Sequence, residues 1–226
     1  MKILIKYPTR NRWPWFQKTI GLYYDKISED CDFQFLISLD EDDESMCTPE
    51  VKEFLDNQPN LIYNYGKSQT KIEACNADMD LVSNWDILLL ASDDMIPIVN
   101  EFDKIIVDAM KEHFPDLDGA LHFNDGLFGK DRTITLSIMG RKLYERFGYI
   151  YHPSYRSFYC DNEFTDEVYA MGKAKYIAQT IIQHKWHGGS KSSDALYRRN
   201  SGMKGDEAVY NRRKLLGFPK ENGWGL

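Results

Sequence analysis

Cysteine is scarce and scattered: the 226 residues contain four, Cys31, Cys47, Cys75 and Cys160, with no CxxC spacing among them. That argues against a zinc ribbon or a disulfide framework, so the thiols are expected to be reduced. Long apolar runs are missing as well. No stretch approaches the roughly 18 residues of a membrane-spanning helix, and the opening MKILIKY enters a strand pattern directly, without a basic and then apolar leader. A soluble, cytoplasmic protein without a transmembrane segment is expected. Neither GxGxxG nor GxxxxGK[ST] occurs, which removes the dinucleotide fingerprint and the P-loop. Excess positive charge is also absent. The net charge is −7, so the molecule as a whole is not drawn to nucleic acid or anionic membrane. The cations that exist gather late: from Lys185 onward nine Lys or Arg face four acids, a tail able to meet phosphate.

What is present is a regular alternation. Short apolar runs bounded by turn residues recur as KILIKY (2–7), FQFLISL (33–39), LIYNY (61–65), WDILLLA (85–91), GALHF (119–123), TITLSIM (133–139) and YIAQTII (176–182). Between the early ones lie helical spacings. In Ser68 to Val82, Ser68 can cap and Ile72, Cys75, Met79 and Val82 form one stripe. Strands alternating with helices predict an α/β fold: one domain with a central, mostly parallel sheet and helices on both faces, becoming mixed after Gly119. The nearly all-apolar fourth run reads as a central strand. A main body over 1–190 and a helical extension over 191–226 packed on it are expected, the latter as two helices interrupted at Gly202 and Gly205, with Asp206 as a cap.

The polar residues gather where strands end. In a parallel sheet the ligand crevice lies outside the carboxyl ends of the strands. LLLASDDMIP delivers Asp93 and Asp94 there, with Pro97 blocking a continuing helix. The first strand ends in YPTRNR, giving Thr9, Arg10 and Arg12, and the second in SLDEDDES, giving Asp40, Asp42 and Asp43. Acids beside arginines suit a nucleotide: the carboxylate accepts from ribose or base and the cation faces phosphate. An ordinary acidic turn explains Asp93 and Asp94 taken alone.

In this order the segments resemble the GT-A fold glycosyltransferases of the family 2 type, across most of residues 1–190. KYPTRNR is similar to that family's first strand and nucleotide-binding turn, and SLDEDD to its second strand end. KIEACNADM is similar to the helix carrying a basic residue and an Asn, here Lys71 and Asn76, and LLLASDDMIP to the DxD segment. Ala91 stands where the commoner form has its first Asp. MGRKLYERFGYIY resembles the segment before the catalytic acid, YCDNEFTDEVY the acid motif opening a helix, and IIQHKWH a closing strand whose His completes the metal site in some members.

The resemblance implies a metal-dependent glycosyltransferase. A nucleotide-diphosphate sugar, a UDP-sugar first, would sit on Thr9, Arg10, Arg12, Asp40, Lys71, Asn76 and Asp93. Mn2+ or Mg2+ would be held by Asp94 first and Asp93 second, and by His184 or His187. Asp161 or Glu163 would be the base, and Asp161 acting so would invert the anomeric centre. The acceptor would be a glycan by default; the basic tail leaves room for a polyanion such as nucleic acid bearing a modified base. Structural alternatives stand beside each role: Asp161 as helix cap, Glu163 serving the helix macrodipole, Lys71 solvated, His184 in a core, Asn124-Asp125-Gly126 as a plain turn, and Trp13, Trp15 and Trp186 as packing. Two other functions fit clustered acids: a metal-dependent phosphohydrolase or nuclease, and an inactive nucleotide-sugar-binding module.

Overall fold

The computed structural model describes residues 1–127, 133–185 and 203–219. In chain order the elements are β1 (Ile3–Pro8), α1 (Trp13–Lys26), β2 (Phe33–Asp40), α2 (Pro49–Asp56), β3 (Leu61–Gly66), α3 (Lys71–Asn76), a 3-10 turn (Met79–Leu81), β4 (Ile87–Leu90), β5 (Met95–Pro97), α4 (Phe102–His113), β6 (Ala120–Phe123), β7 (Ile138–Gly140), α5 (Arg141–Phe147), α6 (Cys160–Ala170), β8 (Ala174–Ile177), β9 (Ile182–His184) and α7 (Met203–Leu215). Seven strands form one sheet in the order β3-β2-β1-β4-β7-β6-β8. All its neighbouring pairs are parallel except those made by β7, which runs antiparallel to both β4 and β6. A second, two-stranded antiparallel sheet pairs β5 with β9.

Each central strand feeds two cores, as the two-residue side-chain period requires. Ile3, Ile5 and Tyr7 of β1, with Ile87 and Leu89 of β4, pack on one face among Phe16, Ile20 and Tyr23 of α1 and Phe102 and Ile106 of α4. Leu4, Leu88 and Leu90 pack on the other with Ile72 of α3, Leu143 of α5 and Phe164 of α6. The α/β sandwich with helices on both faces, read from the apolar runs, is borne out.

Local departures have local causes. The helix expected over 68–82 starts later and ends sooner: Thr70, not Ser68, caps α3 through Glu73 N–H, and Asp78 in the left-handed region at φ 64° breaks the run. The expected strand 133–139 is laddered only at its end, and 176–182 divides into β8 and β9 on different sheets. Pro97 sits in β5 rather than merely blocking a helix. Gly148 closes α5 at φ 78°, its N–H on Tyr144 O, a cap that a residue with a Cβ would strain. Near the end of the chain Gly205 lies inside α7 without interrupting it, and residues 192–202 of the expected two-helix extension lie outside the described residues. Among the described residues no helix is long and apolar enough to cross a membrane.

Helix α7 is fixed to α6 by charge. Arg213 Nε and Nη2 donate to the two oxygens of Glu163 at 2.7 and 2.8 Å, with side chains 8% and 2% exposed, and Tyr155 Oη donates to the same carboxylate at 2.6 Å. Removing one partner of such a buried pair strands the other. Arg213→Ala should therefore cost about 3–5 kcal/mol of unfolding free energy in urea titrations, well beyond the effect of truncating an exposed pair such as Arg141–Glu145.

Candidate active site

A cavity of about 530 Å³ opens at the carboxyl ends of β1, β2 and β4. β1 reaches it as Pro8 and Thr9, whose N–H continues the parallel pairing by donating to Ser38 O at 3.0 Å. Arg10 follows, and its guanidinium donates to Asp40 at 2.8 Å and to Asp42 at 2.5 Å. The other Asp40 oxygen accepts the Ser68 N–H at 3.2 Å. Asp43 lies behind the cleft: it accepts the N–H of Asn11 at 2.5 Å, and Asn11 itself is left-handed at φ 53°, so this acid shapes the turn that presents Arg10. Arg12 lines the cleft beside them.

The two adjacent acids after β4 diverge. Asp93 is buried, accepting from Tyr7 Oη at 3.0 Å and from Thr9 Oγ1 at 3.2 and 3.3 Å, while its carbonyl accepts from Thr19 Oγ1 at 3.1 Å. Burial pushes its carboxyl up to about 7 against the opposing charge of Arg12 and the Tyr7 bond. Asp94 faces His184 across the cleft wall, Oδ2 lying 3.6 Å from Nε2, and accepts from Ser92 Oγ at 2.5 Å. Burial favours its neutral form, but His184 and Ser92 outweigh that and hold it well below the usual carboxylate range. The pairing arises because β5 follows the acids at once and aligns Met95 with His184 of β9, and because Lys185 N–H donates to Asp94 O at 2.7 Å. For His184, burial alone would lower the imidazole's pKa; Asp125 and Asp94 on its two sides outweigh this and bring it up to about 9. His187 and Trp186 lie outside the described residues.

The remaining wall is built by α3, the 157–162 segment and the chain before β7. It brings Lys71, Thr133, Thr135, Tyr151, Asp161 and Asn162 to the same cavity as Asp94 and His184. Burial raises the Asp161 carboxyl above its ordinary range despite the opposing Lys71 ammonium. Burial would also depress Lys71, yet the acidic groups around it, Cys75, Cys160, Asp94 and Asp161, hold its pKa up. Asp161 is not the helix cap. α6 starts one residue earlier, at Cys160, after Tyr159 turns left-handed at φ 62°, and Asp161 Oδ1 accepts the N–H of Asn162 at 3.0 Å within the first turn.

Two expected site residues are not in the cleft. Glu163 faces away from it and is consumed by Arg213 and Tyr155. Asn76 has its amide spent on backbone: its oxygen accepts from the N–H of Ile150 at 2.9 Å and of Tyr151 at 3.1 Å, and its nitrogen donates to Tyr151 O at 2.7 Å. It brackets the chain that leads to Asp161 and is not among the residues lining the cavity. Conversely, sequence reasoning passed over residues that build the site. Asp125, read as part of a plain turn, is buried against His184. Asp206, read as a cap, instead lies inside α7 and accepts the N–H groups of Arg156, Ser157 and Phe158 at 3.1, 2.8 and 2.8 Å, fixing the loop before Asp161. Only an acid beside a turn glycine and an acid in a tail hinted at either.

No protein-family model and no curated protein sequence matches the chain. Solved structures do. A mannosyltransferase from Pyrobaculum calidifontis in complex with GDP-Man and Mn2+ superposes with a TM-score of 0.65 at 14% identity, covering 83% of this chain and 58% of that one. S. aureus TarS 1-349 with UDP-GlcNAc gives 0.63 at 15% identity, covering 88% and 64%. The chain has the GT-A fold. A Drosophila beta-1,4-galactosyltransferase 7 mutant in complex with manganese, UDP-Gal and xylobiose shares it more distantly, at 0.54 and 11% identity over 82% of this chain and 71% of that one. The chain thus spans less than two thirds of the length of the mannosyltransferase and of the TarS fragment.

Does this GT-A domain suit a divalent cation? One carboxylate and one imidazole converge, an oxygen and nitrogen pair that suits Mn2+ better than the oxygen-seeking Mg2+ and lacks the thiolate of a soft-metal site. Among the described residues no group of three or more His, Cys, Asp or Glu is placed to form a closed protein cage. A hard cation held by one or two side chains and completed by substrate phosphate and water has that count. The residues fit such an ion. Without it, the imidazolium and carboxylate are an ion pair whose stability follows from linkage. The His184 pKa is raised from 6.5, so its contribution is full below about 6.5 and is lost as pH rises through about 9; Asp94 is depressed, so its share is lost only as pH falls below the ordinary carboxylate value. The difference in urea unfolding free energy between the metal-free wild type and His184→Gln should therefore be steady near pH 6 and shrink by about pH 10.

Proposed function

We propose that this chain is a glycosyltransferase that moves a sugar from a nucleotide diphosphate to an acceptor hydroxyl, with Mn2+ or Mg2+ bound at Asp94 and His184. The observation that carries the reading is that Asp94, His184, Lys71 and Asp161 line one cavity at the carboxyl ends of the strands together with Arg10 and Asp40. Transfer from a diphosphate requires a charge sink for the leaving group and a proton acceptor for the attacking hydroxyl, and this cavity holds candidates for both.

The nucleotide end is polar and preset. Asp40 and Arg10 already hold each other, so the carboxylate has an oxygen oriented for ribose or base N–H groups and the guanidinium is anchored rather than floppy. Lys71, its charge maintained by its acidic neighbours, would meet diphosphate oxygens. The bound cation would act as a Lewis acid that neutralises the departing diphosphate. Asp161 takes the acceptor proton: its raised pKa makes the carboxylate a better base than an exposed Asp, and it reverts to the carboxylate by losing that proton to water. With a single carboxylate base, the acceptor oxygen attacks from the face opposite the diphosphate, and the anomeric configuration inverts. The solved neighbours carry UDP, UDP-GlcNAc, UDP-Gal or GDP-Man, which supports a nucleotide-sugar donor, with UDP-sugars first; a glycan hydroxyl is the first acceptor to test.

A phosphohydrolase built on paired metals is the weaker alternative. It needs several carboxylates bridging two ions, whereas Asp93 is engaged by Tyr7 and Thr9 and Asp161 sits beside Lys71. Two outcomes separate the readings. In a panel of UDP- and GDP-sugars, the donor should raise the Tm with Mn2+ and lose that Mn2+-dependent increment in Asp94→Ala. Asp161→Asn should keep donor binding within about twofold while slowing transfer by about 10²–10⁴, as removal of a general base does. Transfer at the wild-type rate in Asp161→Asn would remove Asp161 from the reaction.

A further inference from the structure

His184 reaches the cleft through one ring nitrogen. Its Nε2 faces Asp94, while Nδ1 is buried and, among the described residues, has no hydrogen-bond partner. The nearest acid to Nδ1 is Asp125, whose Oδ2 lies 3.8 Å away, too far for a hydrogen bond but close enough that a ring shift of about 1 Å would make one. Asp125 is itself held on every side the structure describes. Leu127 N–H donates to Oδ1 at 2.9 Å, Thr135 Oγ1 donates to Oδ2 at 2.5 Å, and the Asp125 carbonyl accepts the His184 N–H at 2.9 Å. A buried acid locked at a fixed offset from a buried, unpartnered ring nitrogen is more than a turn residue.

An imidazole offers a cation its lone pair on one nitrogen only when the proton resides on the other. A carboxylate at Nδ1 accepts and cannot donate, so it holds the proton there and leaves Nε2 bare toward Asp94. We propose that Asp125, oriented by Thr135, is a positioning residue that sets the His184 tautomer and ring direction for divalent-cation binding. The proposal rests on the reading of Asp94 and His184 as the cation site. It makes a sharp structural distinction between Asp and Asn at this position. The Leu127 N–H demands an oxygen at Oδ1, so in Asp125→Asn the amide nitrogen falls at the Oδ2 place, facing Nδ1 as a donor. Nδ1 must then accept, the proton moves to Nε2, and the lone pair meant for the cation is gone.

The test uses the full chain with Mn2+ and, in turn, UDP and GDP, read by electron paramagnetic resonance. The wild type should bind Mn2+ with pulsed-resonance coupling to an imidazole 14N, lost in His184→Gln. Asp125→Asn should weaken Mn2+ binding about 10- to 100-fold, the range for a group orienting a metal-ligating His, and should lose the nitrogen coupling while still unfolding in one cooperative transition without metal. Thr135→Val keeps the acid and removes one hydrogen bond to it, so it should weaken Mn2+ binding about 2- to 10-fold and serves if Asp125→Asn does not fold. Asp125→Asn, or in its place Thr135→Val, binding Mn2+ as tightly as wild type while Asp94→Asn binds it poorly would overturn the role of Asp125 and leave the cation site standing. No nitrogen-coupled Mn2+ in the wild type with either nucleotide would overturn both.

Discussion

A strand buried on both faces has nowhere to put a charge except its end, and β4 is such a strand. Ile87 to Leu90 are at most 6% exposed, with Leu88 and Leu90 in one core and Ile87 and Leu89 in the other. The first carboxylates after it must therefore emerge at the sheet's carboxyl edge, where β1 and β2 also end. Everything in the cleft is arranged around that emergence. β1 supplies Tyr7 and Thr9 to receive Asp93, α1 adds Thr19, and the β5–β9 ribbon brings His184 to Asp94. The site is a consequence of the core, because the register that buries Leu88 and Leu89 also decides which acid turns inward.

The adjacent acids show how one constraint yields two roles. Asp93 and Asp94 are the two central residues of a turn closed by Met95 N–H on Ser92 O at 3.0 Å, and the turn sends their side chains to different partners. Asp93 is shut against two hydroxyls and rises to about 7, so near neutrality its charge adds little to the repulsion across the pair. Asp94 keeps its charge because His184 compensates it. Two ionised neighbours would repel; one half-neutralised and one paired do not. The missing acid at Ala91 belongs to the same economy. Ala91 is buried in the core that holds Ile87 and Leu89 and borders the cavity, where its methyl group adds no charge to the two acids that follow.

This pattern explains what could be read from the residues. Alternating apolar runs and polar strand ends marked the α/β sheet and put Thr9, Arg10, Arg12, Asp40, Asp93 and Asp94 at one edge, because those signals depend on period and position alone. The choice between Asp161 and Glu163 did not. Two residues apart on a helix they lie about 200° apart, so one faces the cleft if the other faces the body, and only the place of Arg213, some fifty residues later, decides which. Asn76 was misread for a related reason: an amide has the same local signature whether it meets a ligand or the backbone of Ile150 and Tyr151. β5 and β9, three residues each, are too short to show a period, and so the contact of His184 with Asp94 could be drawn only from resemblance.

The wall bearing Asp161 is thus held from behind by residues remote in sequence. Glu163 faces the body and locks onto Arg213; two residues earlier, the same helix turns Asp161 toward the cleft. Asp206 takes three backbone N–H groups of the loop before the helix, and Arg156 of that loop gives its carbonyl to Ile72 N–H at 3.3 Å, next to Lys71. The ammonium and the acid facing it are therefore set by one continuous support running from α7 through the loop to α3. Asp161 is one of several acidic groups that hold up the Lys71 pKa, and Lys71 opposes the rise of the Asp161 pKa, so a shift of either by loss of that support would move both ionisation equilibria. An acid in α7 that touches no substrate can in this way act on the chemistry of the cleft, through the spacing of two charges.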